Sequence, residues 1–217
     1  MDVKYLIERY PRLYHMAEKD TWPSIKANGL LSTTAVLDRF GISGRKRLGI
    51  EEGHRPEKVL VGPDGSGIIL RDQKPMVPSR LVDALIDGTT PAQWYKFLNG
   101  RVFMWAQEGR LFRLLGARDY RGLEHDVLTI DAKSLLGKYG SKAWLCRMNS
   151  GNTWPMPHAR GMDDFRRIAE YPTKKRSGAP YKEVVEVVVD YSIPDIAEYV
   201  VEVRRMKGRD VLGDISL

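Results

Sequence analysis

Glu186 stands alone as a carboxylate inside the apolar run Val184-Val-Glu-Val-Val-Val189. Strand alternation groups it with Val184 and Val188 on one face, leaving Val185, Val187 and Val189 on the other. Burying even a neutral polar group without a partner costs about 2–7 kcal/mol. Glu186 therefore lines a cleft, pairs with a cation, or lies on the wet face of an edge strand. In a cleft, it can stabilise developing positive charge or take a proton. His15 lies in the strand-like Leu13-Tyr-His-Met16, either holding a ligand or hydrogen-bonded in the core. With an ordinary histidine pKa, its charge would vary near neutral pH. Arg71 opens the dense run Arg71-Asp-Gln-Lys-Pro75 directly after Ile68-Ile-Leu70. It reads as a guanidinium aimed at phosphate, or as half of a local Arg–Asp turn pair. Trp105 ends Arg101-Val-Phe-Met-Trp105 and either stacks on a planar ring or fills core.

Other chemistries find no motif. The four histidines and Cys146 show no CxxC, HExxH or EF-hand spacing, so no metal is expected. Gly62-Pro-Asp-Gly-Ser-Gly67 lacks the Gly-Lys-Ser/Thr that completes a phosphate-binding loop, and no GxGxxG follows a strand.

The elements that position these residues can be read along the chain. Val3, Leu6, Ile7 and Tyr10 have helical spacing, Pro11 stops that helix, and residues 12 to 17 read as a strand. A short helix over 22 to 28 starts with Pro23 and closes on Gly29, and a second spans Ala35 to Phe40 after a Ser32-Thr-Thr34 cap. Residues 41 to 58 read as a basic loop, 59 to 67 as a turn region, and 68 to 71 as a short strand. Helices follow near 79–87 and 91–98, then a strand at 101–105, a helix at 108–115, a strand at 125–131, a helix at 133–138 and a strand at 143–148. Residues 149 to 182 form a long proline-rich, basic loop, of the kind that is functional or disordered. Strands at 183–191 and 199–204 complete the order. Mixed elements without regular βαβ alternation predict one α+β domain over residues 1–217.

The 217 residues are 42% hydrophobic and 29% charged, which excludes disordered, collagen-like and disulfide-knotted classes. No apolar stretch approaches the ~20 residues of a membrane span. The charged N-terminus lacks a secretory h-region, and a single cysteine suits a reducing compartment, so a cytoplasmic location without membrane attachment is expected. Thirty-five Lys and Arg against 28 Asp and Glu give +7, a balance that suits polyanions or implies no partner at all.

The order of these features resembles the ADP-ribosyltransferase fold. Leu13-Tyr-His-Met-Ala-Glu18 followed by Trp22-Pro-Ser-Ile-Lys-Ala-Asn-Gly-Leu-Leu31 is similar to the opening of DarT-type DNA ADP-ribosyltransferases and, more distantly, of RNA 2′-phosphotransferases. Glu186-Val-Val-Val before Ile193-Pro194 is similar to their catalytic-glutamate strand, and Arg101 to Trp105 with Arg110 to their middle strand and helix. Trp105 stands near the place of the tyrosine-rich motif of poly(ADP-ribose) polymerases. The chain also resembles a bacterial family without assigned function that begins Leu-Tyr-His-Met-Ala-Glu and contains Arg-Asp-Gln-Lys-Pro.

The resemblance implies a split β-sheet core with surrounding helices, and NAD as substrate without a metal. It implies catalytic roles for Glu186, Arg71 and His15, and NAD contacts from Tyr14, His15, Met16, Gly29, Ser32, Arg71, Trp105 and Arg110. The loop 149 to 182 would then meet a DNA or RNA acceptor through Arg160, Arg166, Arg167, Lys174, Lys175 and Arg176, with Trp154, Phe165, Tyr171 and Tyr181 as stacking surfaces. A toxin or defence factor with an antitoxin or immunity partner is the implied setting. Competing expectations are an NAD glycohydrolase, an RNA 2′-phosphotransferase-like enzyme, and a non-catalytic nucleotide- or nucleic-acid-binding module.

Overall fold

Asp2 accepts from the Lys4 and Tyr5 amides and so caps helix α1 (Val3–Arg9), which buries Leu6. The computed structural model describes residues 1–63 and 66–217 and continues with strand β1 (Arg12–Glu18). Pro23 opens α2 (Trp22–Asn28), and Gly29 ends it at φ 84°. After β2 (Leu30–Leu31), the Ser32 hydroxyl accepts from the Ala35 amide at 3.1 Å and starts α3 (Thr33–Arg39).

The expected basic loop at 41–58 instead contains α4 (Gly44–Glu51). Polar pairs hold it: Arg47 pairs with buried Glu51 one turn on in the same helix and with Asp38 of α3, while Glu51 also accepts from Thr34 of α3. Apolar periodicity could not reveal a helix held in this way. The expected turn region at 59–67 instead contains a strand, β3 (Val59–Val61), which pairs with β4 (Ile68–Leu70) as a hairpin; residues 64 and 65 lie outside the described residues.

The middle of the chain keeps the expected order. It runs α5 (Pro78–Ala84), α6 (Pro91–Asn99), β5 (Arg101–Trp105), α7 (Glu108–Leu115), β6 (Glu124–Asp131), α8 (Ala132–Tyr139) and β7 (Ala143–Cys146). Thr90 and Gln93 form a reciprocal cap at the start of α6. The long loop is not structureless, because β8 (Phe165–Arg167) pairs with β7 at the sheet edge. β9 (Glu186–Asp190), β10 (Ser192–Ile193), β11 (Val200–Lys207) and β12 (Asp210–Asp214) complete the chain.

The protein is α+β, built on an eight-stranded antiparallel sheet in the order β12-β11-β6-β1-β5-β9-β7-β8. One face carries the largest core, where Leu13, Val102, Met104, Leu128, Ile130, Val187 and Val189 pack with α1 and α8. Trp94, Phe165, Cys146 and Val188 form a second core around α6. Strand β9 lies between β5 and β7, so Glu186 is on an interior strand and the wet-edge alternative falls. Among the described residues no helix is long and apolar enough to cross a membrane.

Candidate active site

Strands β1 and β6 remain in register from Arg12↔Asp131 to Glu18↔His125, but β1 and β5 meet at only one pair, Tyr14↔Trp105. Beyond that pair the sheet opens. The His15 ring enters the opening with Nδ1 2.8 Å from the Phe103 carbonyl. Burial pushes the imidazole pKa down to about 4, with nearby Arg71 adding to the effect, so the ring is neutral at pH 7. A carbonyl only accepts, so Nδ1 carries the proton and Nε2 presents a lone pair. The expected charge change of His15 near neutrality is thereby corrected.

The opening forms a cavity of about 520 Å³, within the range typical of small-molecule sites. Its walls come from β1, α2, β4 with the residues after it, β5, and residues 149–151. Glu186 lies in this wall and is only 4% exposed. Directly across the ladder from Trp105 on β5, it accepts the Ser150 amide on Oε1 at 3.1 Å. Its Oε2 is buried without a hydrogen-bond partner. Burial raises the carboxyl pKa to about 7, against the opposing effect of the Ser150 bond. A buried, half-satisfied carboxylate beside a cavity is poorly placed for stability alone and well placed for chemistry.

Arg71 enters from the end of β4. Its Nη1 donates to the Met16 carbonyl at 3.0 Å, its Nε lies 3.8 Å from Glu18 Oε2, and its guanidinium stacks 5.2 Å from the Tyr120 ring. Lys58 also pairs with Glu18, and Tyr120 donates to Asp72 at 2.8 Å. Arg71 therefore pairs across the fold rather than in a local turn. Arg55, read from sequence only as part of a basic loop, is buried behind it. Its Nε donates to the Arg71 carbonyl at 2.7 Å, and its other nitrogens reach Ile50 O and Asn99 Oδ1.

The cavity gathers His15, Met16, Gly29, Ser32, Arg71, Trp105 and Glu186. Ser32 lines the wall, with its hydroxyl accepting from the Ala35 amide as the cap of α3. Gly29 contributes close approach: a Cβ there would lie 2.5 Å from Pro194 Cα. Two expected contacts are absent from the wall. Tyr14 packs beside Met16, Leu111 and Leu115, and Arg110 on α7 does not reach the cavity.

The loop residues divide by burial. Arg160 is fully buried and donates to Ser150 O, Asn152 O and His158 O at 3.0, 2.8 and 3.1 Å. It cannot contact nucleic acid; it holds the segment that presents the Ser150 amide to Glu186. Arg167 stacks 3.7 Å from the Trp144 ring and pairs with Asp190, a structural use of its charge. Arg166 pairs with Asp163. Lys174, Lys175 and Arg176 are exposed on a turn that does not line the cavity. Phe165 and Tyr171 are buried and offer no stacking surface, whereas Trp154 and Tyr181 are exposed. Composition revealed the loop's charge, but not that Arg160 is buried or that Arg166 and Arg167 are paired.

An antiparallel sheet opened between two central strands, with a buried carboxylate and a neutral imidazole on the cavity wall, defines the class of site. The chain belongs to DUF7002, a family of unknown function, which it matches over residues 11–200. That span contains every cavity-lining residue named above and leaves α1 and β12 outside. No curated protein matches the chain.

Proposed function

We propose that this protein is an ADP-ribosyltransferase-like enzyme that transfers ADP-ribose from NAD to a nucleic acid acceptor. The observation that carries the reading is Glu186, a buried carboxylate with an unpartnered oxygen in a cavity at the opening between β1 and β5. The donor set suits a dinucleotide. Arg71 supplies a guanidinium for pyrophosphate, Trp105 an aromatic surface, and neutral His15 an acceptor for a ribose hydroxyl. NAD supplies an activated ribose whose glycosidic C–N bond breaks, with nicotinamide leaving with the bonding electrons.

Glu186 in its ionised form stabilises the positive charge that develops on that ribose. The acceptor nucleophile bonds to the anomeric carbon, and Glu186 takes its proton. A carboxyl pKa of about 7 matches that exchange near neutral pH. Ser150 and Met76 are buried wall residues of the same cavity. A toxin or defence role with an antitoxin partner would be the setting for such an activity.

The test is incubation with adenylate-labelled NAD and single-stranded DNA, RNA or fractionated lysate. The reading expects label on a nuclease-sensitive product, lost by ~10²-fold or more in Glu186→Gln. Nicotinamide release without labelled product would make water the acceptor and the protein a glycohydrolase. No turnover with any acceptor would leave a nucleotide-binding module.

A further inference from the structure

Segment 113–121 and the β11–β12 hairpin tip bring five cations together beside the cavity. Arg113 lies in the last turn of α7, and consecutive turns bonded Ala117 N to Leu114 O and Arg121 N to Ala117 O carry Arg118 and Arg121. The hairpin tip packs onto the same segment: a Cβ on Gly116 would lie 3.6 Å from Arg209 Nε, and one on Gly208 3.3 Å from Arg121 O. Lys207 adjoins them. All five side chains are exposed, and none takes part in an ion pair among the described residues. Arg204 and Arg205, on the same strand as Lys207, are instead fully engaged with Glu108, Asp20 and Asp126. Asp119 and Asp210 are the acidic residues within these two segments, so the patch keeps a clear positive excess.

The same segment forms part of the cavity wall through Leu114 and Tyr120. A chain lying over Arg113, Arg118, Arg121 and Arg209 would thus pass the edge of the opening. Four of the five cations are arginines, whose planar fork matches a phosphodiester better than an ammonium does.

We infer that this patch is a docking surface for the phosphodiester backbone of a nucleic acid. Its role in presenting an acceptor rests on the transferase reading above; its binding of a polyanion does not. The surface replaces the 174–176 turn as the place where an acceptor strand is held.

The test uses the full chain without NAD, titrated with labelled single-stranded DNA and RNA oligonucleotides across roughly 50–200 mM salt. Arg118→Glu/Arg121→Glu/Arg209→Glu is expected to bind at least tenfold more weakly at low salt. Its plot of log affinity against log salt should be shallower by about 2, at roughly 0.7 for each phosphate no longer neutralised. The milder Arg118→Gln/Arg121→Gln/Arg209→Gln variant, checked by its thermal melt, should show the same loss if charge reversal perturbs folding. Lys174→Glu/Lys175→Glu/Arg176→Glu should keep the wild-type slope. Wild-type affinity and slope in both patch variants would overturn the proposal, as would a loss confined to the 174–176 variant. Failure of the wild type to bind either oligonucleotide, or binding only to phosphatidylserine-containing vesicles, would also overturn it. Oligonucleotide binding that follows the patch in a protein without NAD turnover would leave the surface standing and remove the transferase reading.

Discussion

Glu186 ties stability to activity through one proton. Its carboxyl pKa is raised from 4.5 to about 7 by burial. A raised native value means the protonated form contributes stability that is complete below about pH 4.5 and is lost as pH climbs through 7. At ~1.36 kcal/mol per unit, the ionised form costs at most about 3 kcal/mol at pH 8. Glu186→Gln keeps the shape and an oxygen for the Ser150 amide but removes the charge. It should therefore raise stability by about 1–3 kcal/mol at pH 8, with the gain vanishing near pH 4, while turnover falls ~10²-fold or more. Urea melts at both pH values check this, and a pH-independent stability difference would refute the buried-charge account. The pH profile of kcat/KM should rise through a single midpoint near 7, because Glu186 must ionise in the free enzyme. His15, at about 4, adds no further step between pH 5 and 8. A second inflection near 6.5 would give His15 a charged role.

At the scale of elements, the site depends on segments that hold side chains without touching a ligand. Arg160 donates to three backbone carbonyls and so fixes the turn whose Ser150 amide bonds Glu186. Arg160→Met removes those donors and should destabilise the protein by about 3 kcal/mol. Because the Ser150 bond holds the Glu186 pKa down, a displaced turn should also move the pH–rate midpoint upward. A loss of stability with an unchanged midpoint would confine Arg160 to the fold. Gly29 joins α2 to β2 at φ 84°, against Pro194. Gly29→Ala combines a left-handed backbone with overlap onto Pro194, and should cost more than about 2 kcal/mol in a urea melt. A near-neutral result would mean that β10 can move away from β2.

Legibility follows the same division between local and tertiary causes. The β9 strand and Glu186 can be read because valines bracket one carboxylate, and α2 because Pro23 and Gly29 mark its ends. The resemblance implies Tyr14 as an NAD contact, but successive strand residues diverge, and it packs against α7 residues instead. Arg160 and Arg167 look like surface charge in a proline-rich loop, and only the folded chain reveals their carbonyl and ring partners. The edge strands β8 and β12 are short and charged, so no apolar alternation announces them.

The whole molecule assembles its cavity from residues between His15 and Glu186, with walls from most of the chain's length. Ligand binding there should couple to global unfolding, because losing any wall dismantles the site. A ligand bound to the native state alone stabilises it by about 2.7 kcal/mol at 100 times its Kd. For a chain of this size, each kcal/mol raises Tm by roughly 2–4 °C. NAD or ADP-ribose at that concentration should therefore raise Tm by about 5–11 °C. The increase should persist in Glu186→Gln, which removes charge stabilisation but leaves the wall intact, and shrink in Arg71→Ala, which removes the proposed pyrophosphate partner. Scanning calorimetry on the three proteins, with and without ligand, separates binding from turnover. If neither ligand moves the wild-type Tm, the cavity does not hold an ADP-ribosyl group, and the chemistry assigned to Glu186 must act on something else.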